Sequence, residues 1–118
     1  MILLMNEKFF NNWTSQIRKG LLELTILNDI RNRKMYGYEI EKKFCKSHGL
    51  ILGSGAIYNI LQRLKEQLLV KTTETKSPDR PNRKYYQLTE TGRKTLAQMN
   101  SYWHAFEKQA NSIKDCRY

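Results

Sequence analysis

The hydrophobic residues of this chain recur with a helical period over four stretches and with a period of two over one short stretch. Over residues 8–33 they recur every three or four positions, which predicts a long helix, either continuous or broken near Gly20. A basic turn is predicted over residues 31–36. A second helix is predicted over residues 38–47, and Gly49 is a suitable residue to end it.

The pattern then predicts a third helix and a β-hairpin. The helix spans residues 53–69, with Ser54 or the glycine before it as N-cap. Its apolar stripe consists of Ile57, Ile60, Leu61, Leu64 and Leu68. After residue 69 the period changes to two, which predicts a strand over residues 70–75, a loop over residues 76–82 and a returning strand over residues 83–88.

The last helix is predicted to begin after Thr89, a good N-cap, with Glu90 as an acidic residue in its first turn. From residue 96 its apolar residues alternate at +3 and +4, which is the spacing of a coiled-coil seam. The first helix begins with three large aromatic residues that a small monomer has little room to bury. We therefore predict a homodimer. Its buried surface comprises Phe9, Phe10, Trp13, Leu96, Met99, Trp103, Phe106, Ala110 and Ile113.

The order of these elements is that of a winged helix-turn-helix: a helix, a turn, a second short helix with a polar N-terminal end, and a basic hairpin. The sequence thus predicts a mostly α fold with a small β-hairpin. A winged helix-turn-helix DNA-binding domain is expected over residues 18–88. An N-terminal helix over residues 1–17 and a C-terminal helix over residues 89–118 are expected to form the dimer.

Composition and charge favour a polyanionic partner. The 118 residues are enough for one domain with a modest core. Lysine and arginine number 21 and acidic residues 11, which gives a formal net charge of +10. Such a balance favours nucleic acid first and an anionic membrane second, with solubility alone as the plain alternative. Nucleic acid comes first because residues 76–84, at the hairpin loop, hold four basic residues and one acid.

The rest of the chain offers little other chemistry. Cys45, Cys116, His48 and His104 have no metal, redox or disulfide spacing, so no metal or cofactor is expected. The apolar start of the chain, residues 1–5, is too short to span a membrane and has no basic region before it, so it is not expected to be a signal peptide. The expected compartment is the cytoplasm, with both cysteines reduced.

In a winged helix the polar face of the third helix reads base edges: Asn and Gln suit adenine, and Arg suits guanine. The major-groove candidates are Ser54, Tyr58, Asn59, Gln62 and Arg63. The phosphate candidates, which position the protein without reading sequence, are Lys34, Tyr38, Arg80, Arg83 and Lys84. The predicted hairpin over residues 70–88 is the wing of such a domain. Two interpretations of Tyr58 remain open, a groove contact or packing against the wing. For Lys34 taken alone, a merely solvated side chain is the simpler interpretation.

Three runs of residues resemble the PadR family of bacterial transcriptional regulators. They are Tyr36-Gly37-Tyr38-Glu39-Ile40, then Gly55-Ala56-Ile57-Tyr58 with Leu61 and Arg63-Leu64, and finally Arg83-Lys84-Tyr85-Tyr86-Gln87-Leu88-Thr89-Glu90-Thr91-Gly92-Arg93. The last run is the most specific. The resemblance covers most of the chain and implies the compact branch of the family, in which one N-terminal and one C-terminal helix build the dimer.

The chain departs from the family pattern in two places. Ala56 stands where the family usually has a threonine, so any contact of that hydroxyl must come from Ser54 or Asn59. The family has a glycine after the third helix, which is its recognition helix. This chain lacks that glycine, because it continues Gln67-Leu68-Leu69-Val70. We therefore expect the end of this helix to be less sharply turned.

The resemblance also implies an effector pore between the subunits that takes flat, apolar and often cationic compounds by stacking. In this chain its residues are Met99, Trp103 and Phe106. Independently, a tryptophan in a seam is wide and hard to close-pack against its symmetry mate. The alternative is that the two indoles simply fill the interface.

The predicted function is thus a dimeric, sequence-specific DNA-binding regulator, expected to be a repressor relieved by a small planar effector. An enzyme is excluded by inventory, because the sequence has no nucleophile–base pair, no glycine-rich phosphate loop after a strand and no metal cluster. The alternative from another class is a winged-helix module that binds protein or RNA without reading an operator. Convergence of the basic residues on one hairpin beside one helix favours DNA.

Overall fold

The computed structural model describes residues 2–46, 54–78 and 80–115. In chain order the elements are α1 (Ile2–Ile30), β1 (Met35–Tyr36), α2 (Gly37–Lys46), α3 (Ser54–Glu66), β2 (Val70–Ser77), β3 (Arg80–Leu88) and α4 (Glu90–Lys114). The strands form one antiparallel sheet in the order β1-β3-β2. The mostly helical fold with a small sheet that the sequence predicts is therefore confirmed.

The hydrophobic core forms where the apolar stripes of the helices meet the inner face of the sheet. Its buried residues are Leu22, Leu24, Ile26, Leu27, Ile30, Met35, Ile40, Phe44, Ile57, Leu61, Leu64, Val70, Tyr86, Leu88 and Leu96. Tyr86 and Leu88 share the buried face of β3, as the period of two predicts. Each helix therefore has its orientation fixed by the stripe that it buries.

The first helix runs without a break through Gly20, so of the two alternatives the continuous helix is correct. A glycine inside a helix costs about 1 kcal/mol relative to alanine. Full burial of a leucine or isoleucine contributes about 1.5–3 kcal/mol. Leu22, Ile26, Leu27 and Ile30 all follow the glycine and are at most 1 % exposed, and their burial outweighs its cost.

The sheet is larger than the predicted hairpin. The predicted basic turn contains β1, where Met35 pairs with Tyr86 and Tyr36 with Tyr85. The predicted loop over residues 76–82 is also wrong, because β2 runs to Ser77 and β3 begins at Arg80. Pro81 is tolerated within β3 because β1 pairs only at the far end of that strand, so one edge of β3 is free there.

The second helix begins at Gly37, one residue before the predicted start, and is described as far as Lys46. The predicted helix stop at Gly49 and the candidate cap Gly53 lie outside the described residues. The first described residue of α3 is Ser54.

The end of α3 is sharply turned, contrary to our expectation. The helix ends at Glu66, and Leu68 has a φ of 63°, in the left-handed region where glycine is usual. The Leu69 amide donates to the Leu64 carbonyl and the Leu68 amide to the Lys65 carbonyl, both at 3.0 Å. These two bonds define a Schellman motif. The chain thus makes the family's turn with a leucine in place of the glycine.

We expect Leu68→Gly to stabilise the folded chain by about 1 kcal/mol, since the left-handed conformation costs an ordinary residue about 1–2 kcal/mol. Leu68 is 71 % exposed, so its removal forfeits little burial. Urea unfolding at a fixed protomer concentration measures the change. Lys65→Gly, inside α3, is the control and should destabilise by about 1 kcal/mol. A destabilised Leu68→Gly variant would contradict the assignment of strain to this leucine.

Hydrogen bonds connect the start of α4 to the turn that ends α3. Thr89 is its N-cap, as predicted, and its hydroxyl accepts the Gly92 amide at 2.8 Å. The same hydroxyl donates to the Leu68 carbonyl at 2.7 Å, and the Thr89 amide donates to the Leu69 carbonyl at 3.1 Å. The start of α4 is thereby held against the turn that ends α3.

Farther along, α4 packs against α1. Leu96 is only 1 % exposed and belongs to the core of the single chain, so its assignment to the dimer surface is corrected: no side-chain surface is left for a partner. Asn28 and Asn100 exchange two side-chain hydrogen bonds of 2.9 Å between the two helices. The predicted domain limits after residues 17 and 88 stay predictions, and the first of them falls within α1.

Candidate nucleic-acid interface

The third helix presents a polar face to solvent because most of its apolar stripe is buried. Leu68, predicted as the last residue of that stripe, instead lies beyond the helix and is 71 % exposed. Ile57, Leu61 and Leu64 are at most 2 % exposed, whereas Asn59 and Gln62 are exposed. The Gln62 amide donates to Oε1 of Glu66 one turn away, at 3.2 Å. A side-chain amide offers a donor and an acceptor that match an adenine edge. These two predicted groove residues are therefore accessible to a duplex.

Arg63 lies on the flank of α3 that faces α1. Its Nη1 is 3.1 Å from Oε1 of Glu23, and half of the arginine side chain is exposed. A pair this open is worth at most about 1 kcal/mol. This predicted groove residue is thus tied to α1 by a weak pair in the free chain, and a duplex must compete with Glu23 for it.

Tyr58 packs on the start of α2. A Cβ atom on Gly37 would lie 2.8 Å from Cε1 of Tyr58, so the ring packs closely on this glycine. Partial burial, a hydrogen bond to Glu41 and the negative charge of that carboxylate together raise the pKa of Tyr58 above its ordinary value. The ring thus contacts α2, and 41 % of Tyr58 stays exposed, so its assignment to the groove stays a prediction.

Two predicted site residues belong to described elements but have side chains outside the described part. Ser54 is the first residue of α3, and Arg80 is the first residue of β3. Their assignments to groove and phosphate stay predictions.

Two cations beside the sheet each lie over a tyrosine ring. Cζ of Arg83 is 4.6 Å from the ring centre of Tyr36, and Nζ of Lys34 is 5.1 Å from the ring centre of Tyr85. Tyr36 and Tyr85 pair across β1 and β3, with ring centres 5.7 Å apart and planes at 71°. Lys34 is exposed and has the ring of Tyr85 as a partner, and its assignment to phosphate stays a prediction.

Two further phosphate candidates are Tyr38 of α2 and Lys84 of β3. Tyr38 is exposed and stacks on Tyr36, with ring centres 6.5 Å apart and planes at 16°. Nζ of Lys42 is 5.9 Å from the ring centre of Tyr38. Lys84 is exposed and points to the opposite face of β3 from Arg83, because successive strand residues alternate.

Tyr36 and Tyr85 contact two phosphate candidates but are not among the site residues that the sequence predicts. The period of two correctly placed Tyr85 on the outer face of the returning strand. The signal was incomplete because β1 is two residues long and shows no period of its own. Without that strand, nothing in the pattern brings Tyr36 beside Tyr85.

The wing, the start of α2 and Tyr58 of α3 enclose a cleft of about 500 Å³. It is lined by Tyr36, Gly37, Tyr38, Tyr58, Pro81, Asn82, Arg83, Lys84 and Tyr86. Two cations, one amide and several phenols meet there in a concave surface. Such a surface suits a phosphodiester backbone, which is contacted by basic side chains and by neutral hydrogen-bond donors.

A second, more apolar groove of about 670 Å³ lies between α1 and α4. The predicted pore residues Met99, Trp103 and Phe106 all line it, and so does Trp13. Met99 and Trp103 are partly buried against the core, whereas Phe106 and Trp13 are half exposed. The remaining predicted dimer residues, Leu96 apart, are exposed: Phe9, Phe10, Ala110 and Ile113.

Residues 2–46, 54–78 and 80–115 offer neither a metal site nor a membrane span. Among them no group of three or more His, Cys, Asp or Glu side chains is arranged to hold a metal ion. None of their helices is long and apolar enough to cross a membrane.

Comparison with known proteins yields one consistent family. Residues 26–98 match the transcriptional regulator PadR-like family. A PadR-like transcription factor from Bacteroides fragilis is 34 % identical with a TM-score of 0.73, over 86 % of this chain and 98 % of that one. A PadR-like transcriptional regulator from Bacillus cereus is 31 % identical with a TM-score of 0.76, over 86 % and 99 %. An uncharacterised Lysinibacillus sphaericus protein is 28 % identical over 91 residues, 75 % of this chain and 84 % of its own.

The matched residues include the exposed polar face of α3 and the wing. The family match runs from within α1, through the recognition helix and the wing, into α4. It supports a DNA-binding transcriptional regulator and indicates that the protein is not an enzyme. The chain therefore belongs to the PadR-like family of transcriptional regulators.

Proposed function

We propose that this chain is a homodimeric, sequence-specific repressor that a small planar effector releases from its operator. The observation that carries the DNA-binding part is the exposed amide face of α3 beside the basic cleft of the wing. Asn59 and Gln62 are assigned to base edges in the major groove. Arg83, Lys84, Lys34 and Tyr38 are assigned to phosphates.

Two copies are needed to use these faces on one side of a duplex. A two-fold dimer must hold its recognition helices about 34 Å apart, so that they enter successive major grooves. The exposed aromatic residues of α1 and α4 supply the contact surface for the second copy. The operator is accordingly expected to be an inverted repeat, and the protein to act in the cytoplasm.

Selection of bound duplexes from random DNA tests this proposal. An enriched inverted repeat with half-sites one helical turn apart is expected. Binding of RNA or protein with no enrichment of any duplex would favour the alternative, a winged-helix module that reads no operator.

Gln62→Ala and Asn59→Ala should each lose discrimination at one base pair per half-site, by about 1–3 kcal/mol where the amide contact is bidentate. Competition binding with single-base operator variants measures this loss. Glu66→Ala is the matched control, because it frees Gln62 from its intrahelical bond without removing a predicted base contact. Unchanged discrimination in both amide variants would mean that this face is not in the groove.

The groove between α1 and α4 supports the effector part of the proposal. It places two indoles, from Trp13 and Trp103, in one apolar recess that also holds Met99 and Phe106. Flat aromatic compounds stack on such side chains. A compound bound there releases DNA if it binds the DNA-free arrangement of the two helices more tightly than the DNA-bound one.

Planar cationic dyes should quench tryptophan fluorescence in the wild type and weaken duplex binding. Trp103→Ala should weaken dye binding by about tenfold or more, since it removes both ring burial and stacking. Trp13→Phe keeps an aromatic ring and leaves Trp103 as the reporter. If no dye of a broad panel quenches either protein, the two indoles fill the interface and the pore is rejected.

A further inference from the structure

Two tyrosines, Tyr36 beside the wing and Tyr85 within it, have no DNA contact assigned to them in the function proposed above. We propose that they are positioning residues, which hold Arg83 and Lys34 in place for contact with DNA phosphates. The inference rests on the proposed function, because it concerns the same wing. It adds that the free chain has already arranged the two cations, through contacts that involve neither an acidic partner nor the duplex.

The ring of Tyr36 is itself firmly placed. Its backbone pairs with Tyr85 in the sheet, and its amide donates to Oε1 of Glu39 at 3.2 Å. The other carboxylate oxygen of Glu39 is 3.1 Å from Nη2 of Arg33. Tyr38 stacks on the ring. Strand pairing, the first turn of α2 and a neighbouring ring therefore all fix the surface on which Arg83 lies.

Arg83 reaches that ring because of its register in the sheet. It lies two residues before Tyr85 on β3 and pairs with Thr75 of β2, so its side chain is on the same face as Tyr85. Lys34 comes directly before β1 and lies over the ring of Tyr85. Tyr36 of β1 thus contacts Arg83 of β3, and Tyr85 of β3 contacts Lys34, the residue before β1.

Stacking suits an arginine that must also contact phosphate. A guanidinium stacks by its flat face, which leaves the N–H groups at its edge free to donate. An acidic partner would take up those donors and would have to be displaced. A free arginine side chain loses rotamer entropy when it binds. Ring contact removes part of that cost before the duplex arrives, so affinity rises without any added charge.

This gives the tyrosines a signature that separates them from phosphate contacts. Loss of a phosphate contact lowers the dependence of affinity on salt, whereas loss of positioning leaves the number of contacts unchanged. Duplex binding is therefore measured over a range of salt concentrations for Tyr36→Phe, Tyr36→Leu, Arg83→Ala, Arg83→Lys and the double variant Tyr36→Leu/Arg83→Ala. Thermal unfolding of each variant accompanies the titrations.

Arg83→Ala should weaken binding and lower the salt slope by about one unit for each half-site. Tyr36→Leu should weaken binding about tenfold for a dimer with two such contacts, with the salt slope unchanged. Tyr36→Phe, which keeps the ring, should recover most of the affinity that Tyr36→Leu loses. Arg83→Lys should keep the slope and lose affinity, because a lysine lacks the flat face. In the Arg83→Ala background, Tyr36→Leu should cost nothing further.

Three outcomes would overturn the inference. Tyr36→Phe as weak as Tyr36→Leu would mean that the hydroxyl contacts DNA. Wild-type affinity for both Tyr36→Leu and Arg83→Lys would mean that the ring does not position Arg83. If Tyr36→Leu does not fold, Arg83→Lys alone tests the positioning role. Arg83→Ala with an unchanged slope would instead reject the phosphate contact in the proposed function, and the positioning role with it.

Discussion

Gly92→Ala is expected to destabilise the folded chain by about 3 kcal/mol, at the upper end of the usual cost of overpacking. A Cβ atom at this position would lie 2.0 Å from the Leu69 carbonyl oxygen and 3.0 Å from its carbon. Neither atom can give way, because the oxygen accepts the Thr89 amide and follows the Schellman turn of α3. The start of α4 must therefore move away from the recognition helix.

Thermal unfolding at a fixed protomer concentration measures this effect, and a fall in Tm of roughly 10–15 °C corresponds to it. Gly55→Ala in the first turn of α3 is the control, because a Cβ there meets nothing within 4 Å. That variant should be neutral or up to about 1 kcal/mol more stable, as for alanine in place of glycine in an open helix. Equal behaviour of the two variants would refute the close approach of α4 to Leu69.

Phe106→Lys is expected to raise the dissociation constant of the dimer by a factor of about 10 to 10². Phe106 is 52 % exposed in the single chain and stacks on Tyr102, with ring centres 6.1 Å apart. Full burial of a phenylalanine contributes about 1.5–3 kcal/mol, and burial of its exposed half contributes about half of that. A two-fold interface loses this contribution twice. Sedimentation over a range of concentrations measures the change.

Leu68→Lys is the matched control, because it makes the same change of charge at an exposed apolar residue outside α1 and α4. It should leave the dimer intact. Circular dichroism should show both variants folded, since Phe106 is outside the core. Truncation after Lys94 would also remove the core residue Leu96, so the point variant is the cleaner test. An unchanged dimer in Phe106→Lys would place the interface elsewhere.

Much of the fold was predictable because helix periods, caps and strand alternation are local. The stripe of α3, the N-cap Thr89 and the inward pair Tyr86 and Leu88 all follow from spacing within one element. Each needs only a few neighbouring residues and an apolar side to bury. The family match depends on the same local runs.

The misses were decided by contacts between elements rather than by the pattern within one element. β1 exists because β3 is available to pair with it, and two residues have no period of their own. The wing strands extend through a loop-like composition because they pair with each other as far as Ser77 and Arg80. Leu68 adopts a glycine conformation because the turn places Thr89 and α4 against it.

The candidate site divides in the same way. The sequence by itself determined the winged-helix order, the basic hairpin and the outward amides Asn59 and Gln62, since composition and a single helix period suffice for those. Only the tertiary structure decided that Tyr58 packs on Gly37, that Arg63 pairs with α1, and that two tyrosines carry the wing cations. These contacts join residues from different elements, and their geometry is set by how the elements pack, which no local pattern encodes.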